Sequence, residues 1–204
     1  MSREPHSDPL GGEHGWSPPP PASIVPVPAA NASELRGRRV IVGLPGLGWR
    51  PDMRGDDRVV QGSRTFVPVL AEHEWYRAEA EQIEVFAPLV PIERVWVETV
   101  AVEGSSRPAT PRSPDVASRL VSLDGPPRRD PIAAVDVDGV TGRRMVQTSE
   151  GVERRDLRAV TELYANPQGD VCLRVTTELE WYRWAWSGKS PRTLELPVHV
   201  LWVE

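Results

Sequence analysis

The chain repeats itself, and that repetition constrains the fold more than any other feature. Gly37-Arg38-Arg39-Val40 returns as Gly142-Arg143-Arg144-Met145. Glu74-Trp75-Tyr76-Arg77 returns as Glu180-Trp181-Tyr182-Arg183, and Trp96-Val97-Glu98 as Trp202-Val203-Glu204. The last two pairs, with Pro91 and Pro197, share an offset of 106, whereas the first pair sits at 105, so a single-residue length change lies between them. Trp and Tyr are scarce residues, and their return in the same order points to duplication. A unit of about 65 residues is too long for a solenoid repeat and predicts two related small domains or one pseudo-twofold domain.

Proline marks the borders of the two copies. It crowds the start, through Pro18-Pro19-Pro20-Pro21 and Ile24-Val25-Pro26-Val27-Pro28, and again the stretch from Pro108 to Pro131. The expected organisation is a disordered or polyproline-like arm over 1–34, a first copy over 35–102, a Pro-rich linker over 103–131 and a second copy over 132–204. The arm lacks the basic start and unbroken apolar run of a signal peptide. No stretch has the length of a membrane helix. A lone cysteine, Cys172, offers no internal disulfide, so the expected compartment is a reducing cytoplasm.

The periodicity is mainly that of strands. From Val171 to Tyr182, the residues Val171, Leu173, Val175, Thr177, Leu179 and Trp181 share one parity, and polar residues dominate the other. Asn166-Pro167-Gln168-Gly169-Asp170, ahead of this run, predicts a hairpin turn. Val67 to Tyr76 shows the same alternation around Pro68, after a turn at Gln61-Gly62-Ser63. On this reading Trp75 and Trp181 face inward and Tyr76 and Tyr182 outward. Ile92 to Glu98 and Val198 to Glu204 carry apolar residues on both parities, as central strands do. Asp138-Gly139 between apolar runs predicts a further tight hairpin. The one helical candidate is Trp75 to Glu84; its partner, Trp181 to Ser190, holds Gly188 and three Trp that propensity alone would not select. The expected fold class is therefore mainly β: two tandem copies of a small β-barrel-like or curled-sheet unit.

Chemical motifs are sparse. Gly43-Leu44-Pro45-Gly46-Leu47-Gly48 follows an apolar run, but its glycine spacing is not that of a dinucleotide loop and no Lys-Ser/Thr follows. A tight turn accounts for it, with a ligand loop at Gly43, Gly46 and Gly48 as the alternative. Glu72-His73-Glu74 would point its carboxylates and imidazole to opposite faces of a strand, so no metal site is expected. Asp136-Val137-Asp138-Gly139 lacks the remaining ligands of a calcium loop. No Gly-x-Ser-x-Gly elbow is present, and no cofactor or catalytic residue is assigned.

What remains is aromatic. Tyr182, Trp184 and Trp186 would share one exposed stripe of a strand, suited to binding another protein or to self-association. Trp49, Asp52 and Arg54 add a mixed-charge loop. The functional expectation is a non-enzymatic adaptor or assembly component of a bacterial cytoplasmic complex. The alternative is nucleic-acid binding, for which Arg143, Arg144, Arg154, Arg155 and Arg158 would supply charge; the net charge of −5 argues against it. A third reading is an enzyme or ligand-binding protein that uses the Gly43–Gly48 loop. The near-total preference for Arg over Lys, with Lys189 the one lysine, fits a GC-rich genome.

Overall fold

In the computed structural model the described residues are 18–101, 125–149 and 151–204. The first copy contains β1 (Ile24–Pro28), β2 (Arg39–Leu44), β3 (Gly48–Gly55), β4 (Val59–Gln61), β5 (Arg64–Ala71), α1 (Glu72–Glu81), β6 (Leu89–Pro91) and β7 (Val95–Val100). The second contains β8 (Ile132–Ala133), β9 (Arg144–Ser149), β10 (Val152–Ala159), β11 (Tyr164–Ala165), β12 (Val171–Thr177), α2 (Glu178–Ser187), β13 (Leu194–Pro197) and β14 (Leu201–Val203). The sheets have one topology. The first runs β1-β7-β2-β3-β5-β4, with β6 on the far side of β5; the second runs β8-β14-β9-β10-β12-β11, with β13 on the far side of β12. Every pairing is antiparallel. The protein is thus mainly β and built from two curled copies of one unit.

Each copy closes over its own apolar core. Ala29, Leu35, Val40, Met53, Val67, Val69, Val95 and Val97 fill the first. Ala134, Val140, Met145, Leu157, Leu173, Val175, Leu201 and Val203 occupy the same places in the second. The two sets correspond at offsets of 104, 105 or 106. The offset falls to 104 at Met53 and Leu157 because the hairpin turn is one residue shorter in the second copy, where Ser149 pairs with Val152 while Leu44 pairs with Gly48. Both hairpins carry the same bulge, Arg50–Met53 facing Val40–Val42 and Arg154–Leu157 facing Met145–Gln147.

Several local expectations hold. Gly62-Ser63 turns β4 into β5, with Gln61 opposite Arg64, and the Asn166–Asp170 turn joins β11 to β12, with Ala165 opposite Val171. β7 and β14 each lie between two neighbouring strands, as expected of central strands. The expected strands over Ile92–Glu98 and Val198–Glu204 begin late, however, because Ile92–Arg94 and Val198–Val200 are 3-10 turns.

Other expectations need correction. The predicted strand from Val171 to Tyr182 stops at Thr177, and the chain becomes a helix at Glu178. The same switch occurs after Ala71 in the first copy. Two acidic residues in each first turn favour the helix N-terminus, and a left-handed residue, Gln82 or Gly188, ends each helix. The period-two pattern runs on through Glu-Leu-Glu-Trp by coincidence of composition. Asp138-Gly139 lies in a loop, and β8 pairs with β14, so no hairpin forms there. Within the arm expected to be disordered over 1–34, Ile24–Pro28 is a strand paired along its whole length with β7, and the Ala22 amide donates to Glu153 at 2.9 Å. Arg129, assigned to the linker, bridges to Ile24 at the outer edge of β1. Residues 1–17 and most of the linker lie outside the described residues.

Candidate functional site

The helices bring the repeated motifs together. α1 and α2 pack against each other across the pseudo-twofold axis. Glu72 and Tyr76 stand four residues apart on one face of α1, as Glu178 and Tyr182 do on α2, so each pair projects to the same side. Tyr76 and Tyr182 stack there, with ring centroids 5.3 Å apart and planes 22° from parallel.

Around the stacked rings lies a buried ionic seam in which each copy supplies the other's partners. Arg54 donates to the Gly37 carbonyl (2.8 Å) and the Tyr76 hydroxyl (2.8 Å), then crosses to Glu178 (2.9 Å). Arg158 repeats this with the Gly142 carbonyl (2.9 Å), the Tyr182 hydroxyl (2.7 Å) and Glu72 (3.2 Å). Tyr76 donates to Glu178 (2.8 Å), and Tyr182 to Glu72 (2.9 Å). Arg39 reaches Glu178 (2.7 Å) and Glu204 (3.0 Å); Arg144 reaches Glu72 (2.7 Å) and Glu98 (3.5 Å). Four arginines therefore meet four glutamates, and the glutamate side chains are at most 3% exposed.

Two further arginines close the rim, Arg129 on Glu98 and Arg155 on Glu204 at 2.7 Å. The symmetry breaks at Asp52, a non-glycine residue with positive φ, which turns to Arg144 at 2.8 Å. Its equivalent, Asp156, stays in its own copy on Arg154.

Charge matching fixes the protonation states. Burial works to raise the Glu72 pKa, but the Arg144 and Arg54 guanidiniums and the Tyr182 hydroxyl outweigh it and bring the pKa down to about 2. Burial, then the facing carboxylates Glu178 and Glu72, push the Tyr76 and Tyr182 hydroxyls well above the usual phenol range. Arg144 is raised: burial opposes its charge, and Glu72, Glu98, Asp52 and Glu178 overcome that. Near neutral pH Glu72 is a carboxylate without a proton to give, and the tyrosines are neutral donors. The seam matches its charges and is suited to clamping the copies together, although the buried Nε atoms of Arg129 and Arg158 find no hydrogen-bond acceptor.

The repeated glycines belong to the same construction. Gly37 and Gly142 adopt φ of +69° and +81°, and the indole edges of Trp75 and Trp181 lie 3.5 Å from where a β-carbon would stand. The tryptophans are thus equivalent, as the repeat requires, but they are half-buried on helices and not set in the sheets.

The predicted partner-binding residues separate into three groups. Tyr182, Arg54 and Asp52 converge on the seam, where their polar atoms bond across the copies. Trp49 packs edge-on against Trp96, with centroids 4.8 Å apart. Trp184 and Trp186 stay on the outer part of α2. Because that segment is a helix, Tyr182, Trp184 and Trp186 do not form one stripe: Tyr182 turns to the seam, while Trp184 sits edge-on to Trp181 at 5.6 Å and is 37% exposed. Gly46 lies at the tip of the β2–β3 hairpin, where Leu44 pairs with Gly48 and Leu47 is 82% exposed. Of the arginines proposed for nucleic acid, Arg144, Arg155 and Arg158 are committed to carboxylates in the seam. Among the described residues no group of His, Cys, Asp and Glu is placed to hold a metal ion, and no helix is long and apolar enough to cross a membrane.

No family model, no curated protein and no solved structure matches this chain.

Glu72, Glu178, Arg158 and the rim arginines were missed as a set by sequence reasoning, although Arg39/Arg144, Tyr76/Tyr182 and Glu98/Glu204 all sit inside the repeated motifs. Charged residues kept at equivalent places in both copies, beside apolar neighbours, were the available signal.

Proposed function

We propose that the protein is a non-enzymatic adaptor whose two fused copies present different docking surfaces on one rigid frame. The observation that carries this reading is Phe86, which is 88% exposed in the connection between α1 and β6. Ile83 (44%) and Leu89 (37%) are exposed in the same segment. The equivalent positions in the second copy are Lys189, Arg192 and Glu195, so the shared scaffold has no need of apolar residues there. Conversely, Trp184 and Trp186 on α2 correspond to Ala78 and Ala80 on α1. Cores and seam are common to the copies, whereas large apolar surface groups are copy-specific, as expected where each copy meets its own partner. The partner is another protein, and self-association through the same residues is the competing use of the surface.

The test compares native-cell co-purification by the full chain, Phe86→Glu and Trp184→Glu, all confirmed folded by circular dichroism. The adaptor reading expects a reproducible set of retained proteins, part of it lost with each variant. Retention of nothing by the wild type, or of an identical set by all three, refutes it. A mass in solution of twice the chain's own would assign the surface to self-association.

A further inference from the structure

We infer that the second copy carries a binding site for a small, soluble phosphate-bearing ligand, in the cleft between the first turn of α2 and the segment that leads to β13. The cleft has a volume of about 800 Å3. That is the size range of sites for cofactor- or nucleotide-sized molecules. Its floor is the buried Leu157 and Thr176, and four cations stand around it: Arg154, Arg183, Lys189 and Arg192. The one carboxylate lining it is Glu180. In a chain with a net charge of −5, this is a concentrated positive patch.

The cations differ in how they are held. Arg183 bonds Glu180 at 2.6 Å, and Arg154 bonds Asp156 at 2.7 Å, exposed pairs that leave further N–H groups for a ligand. Lys189 and Arg192 make no ion pair among the described residues. The backbone of Arg192 is held instead: its carbonyl accepts from the buried Thr176 hydroxyl at 2.7 Å, fixing the segment that carries it. Ser190 and Thr193 add hydroxyls to the lining. Arginine forks, a lysine and hydroxyl donors around one cleft match a phosphoryl group, which carries multiple charges and several acceptor oxygens.

The duplication supplies an internal control. At the places of Lys189, Ser190, Arg192 and Thr176 the first copy has Ile83, Glu84, Phe86 and Leu70. Arg154 and Arg183 have counterparts in Arg50 and Arg77, so Lys189 and Arg192 are the cations particular to the second copy, and the shared fold forms without them. This inference is independent of the adaptor reading, because it rests on the polar lining of one cleft and another class of ligand, and not on Phe86 or the exposed tryptophans.

Calorimetric titration of the full chain with inorganic pyrophosphate and with ADP, at matched ionic strength, tests the assignment. Saturable binding at one site per chain is expected, and the double variant Lys189→Ala/Arg192→Ala should weaken it by at least ~10-fold, the loss of one charge-assisted contact or more. Both side chains are exposed, so that variant should keep the parent's melting temperature; Phe86→Ala should leave binding unchanged. No saturable heat with either probe overturns the site, as does binding indifferent to the double variant. Saturation by an acidic peptide such as hexaglutamate, without binding of pyrophosphate or ADP, would overturn the phosphate assignment.

Discussion

Glu72 stands at the first position of α1 with Arg54, Arg144 and Arg158 all within 3.2 Å, so removing its charge strands three buried guanidiniums. Its pKa lies below the usual 4.5, at about 2. A depressed carboxylate contributes stability that is complete above its ordinary pKa and disappears as pH falls through the folded value. The melting temperature should therefore decline between pH 4.5 and 2. Glu72→Gln should cost about 3 kcal/mol at neutral pH, since one partner of a buried set is lost while the others remain, and should flatten the decline. Scanning calorimetry across that range checks both; equal slopes for the variant and the parent would exclude Glu72 as the source. Gly142 has a different kind of necessity. With φ at +81° and the Trp181 indole over it, Gly142→Ala should lose roughly 1–2 kcal/mol in urea unfolding. The parallel change at Gly37 should cost a similar amount.

The elements show how a strand's sequence pattern can continue into a helix. Alternation in Val171–Thr177 was legible because Leu173 and Val175 of one parity fill the core, although Val171 of that parity is exposed and Cys172 and Thr176 of the other are buried. It failed at Glu178, where Leu179 and Trp181 preserve the parity while the backbone has already turned helical. The decisive local feature was Thr177, whose hydroxyl accepts from the Glu180 amide at 3.3 Å and caps α2. The first copy has Ala71 in its place and no side-chain cap, so that signal existed in one copy alone. Thr177→Ala should therefore destabilise by about 1 kcal/mol. At the other end Gln82 occupies the left-handed conformation that Gly188 takes in the second copy. Gln82→Gly should raise stability by about 0.5 kcal/mol, the relief of a strained backbone less the added freedom of the unfolded chain. Denaturant midpoints of the two variants, read against the parent, would show opposite signs.

At the scale of the whole molecule, the two-copy architecture could be read from the repeats, but the interface could not. Pairing is set by which residues meet across the axis, and sequence offsets cannot show that Arg54 faces Glu178 while Arg158 faces Glu72. The aromatic repeats drew attention to stacking surfaces, when their tyrosines serve the seam and their tryptophans cover glycines. The two apolar cores are separate, yet neither half can leave the other without exposing Arg and Glu side chains arranged for partners on the opposite side. Thermal unfolding should accordingly be a single transition, with calorimetric and van't Hoff enthalpies equal. Two resolved transitions would mean that the seam contributes little to cooperativity.

Reciprocal pairing of this kind is what an isologous contact between identical subunits looks like, where residue i meets j and j meets i. In such a dimer every mutation is felt twice. Covalent linkage of the halves removes that doubling, so a change at Arg39 need not be accompanied by one at Arg144. Asp52 and Asp156, one paired across the copies and the other within its own, are an instance of the freedom gained.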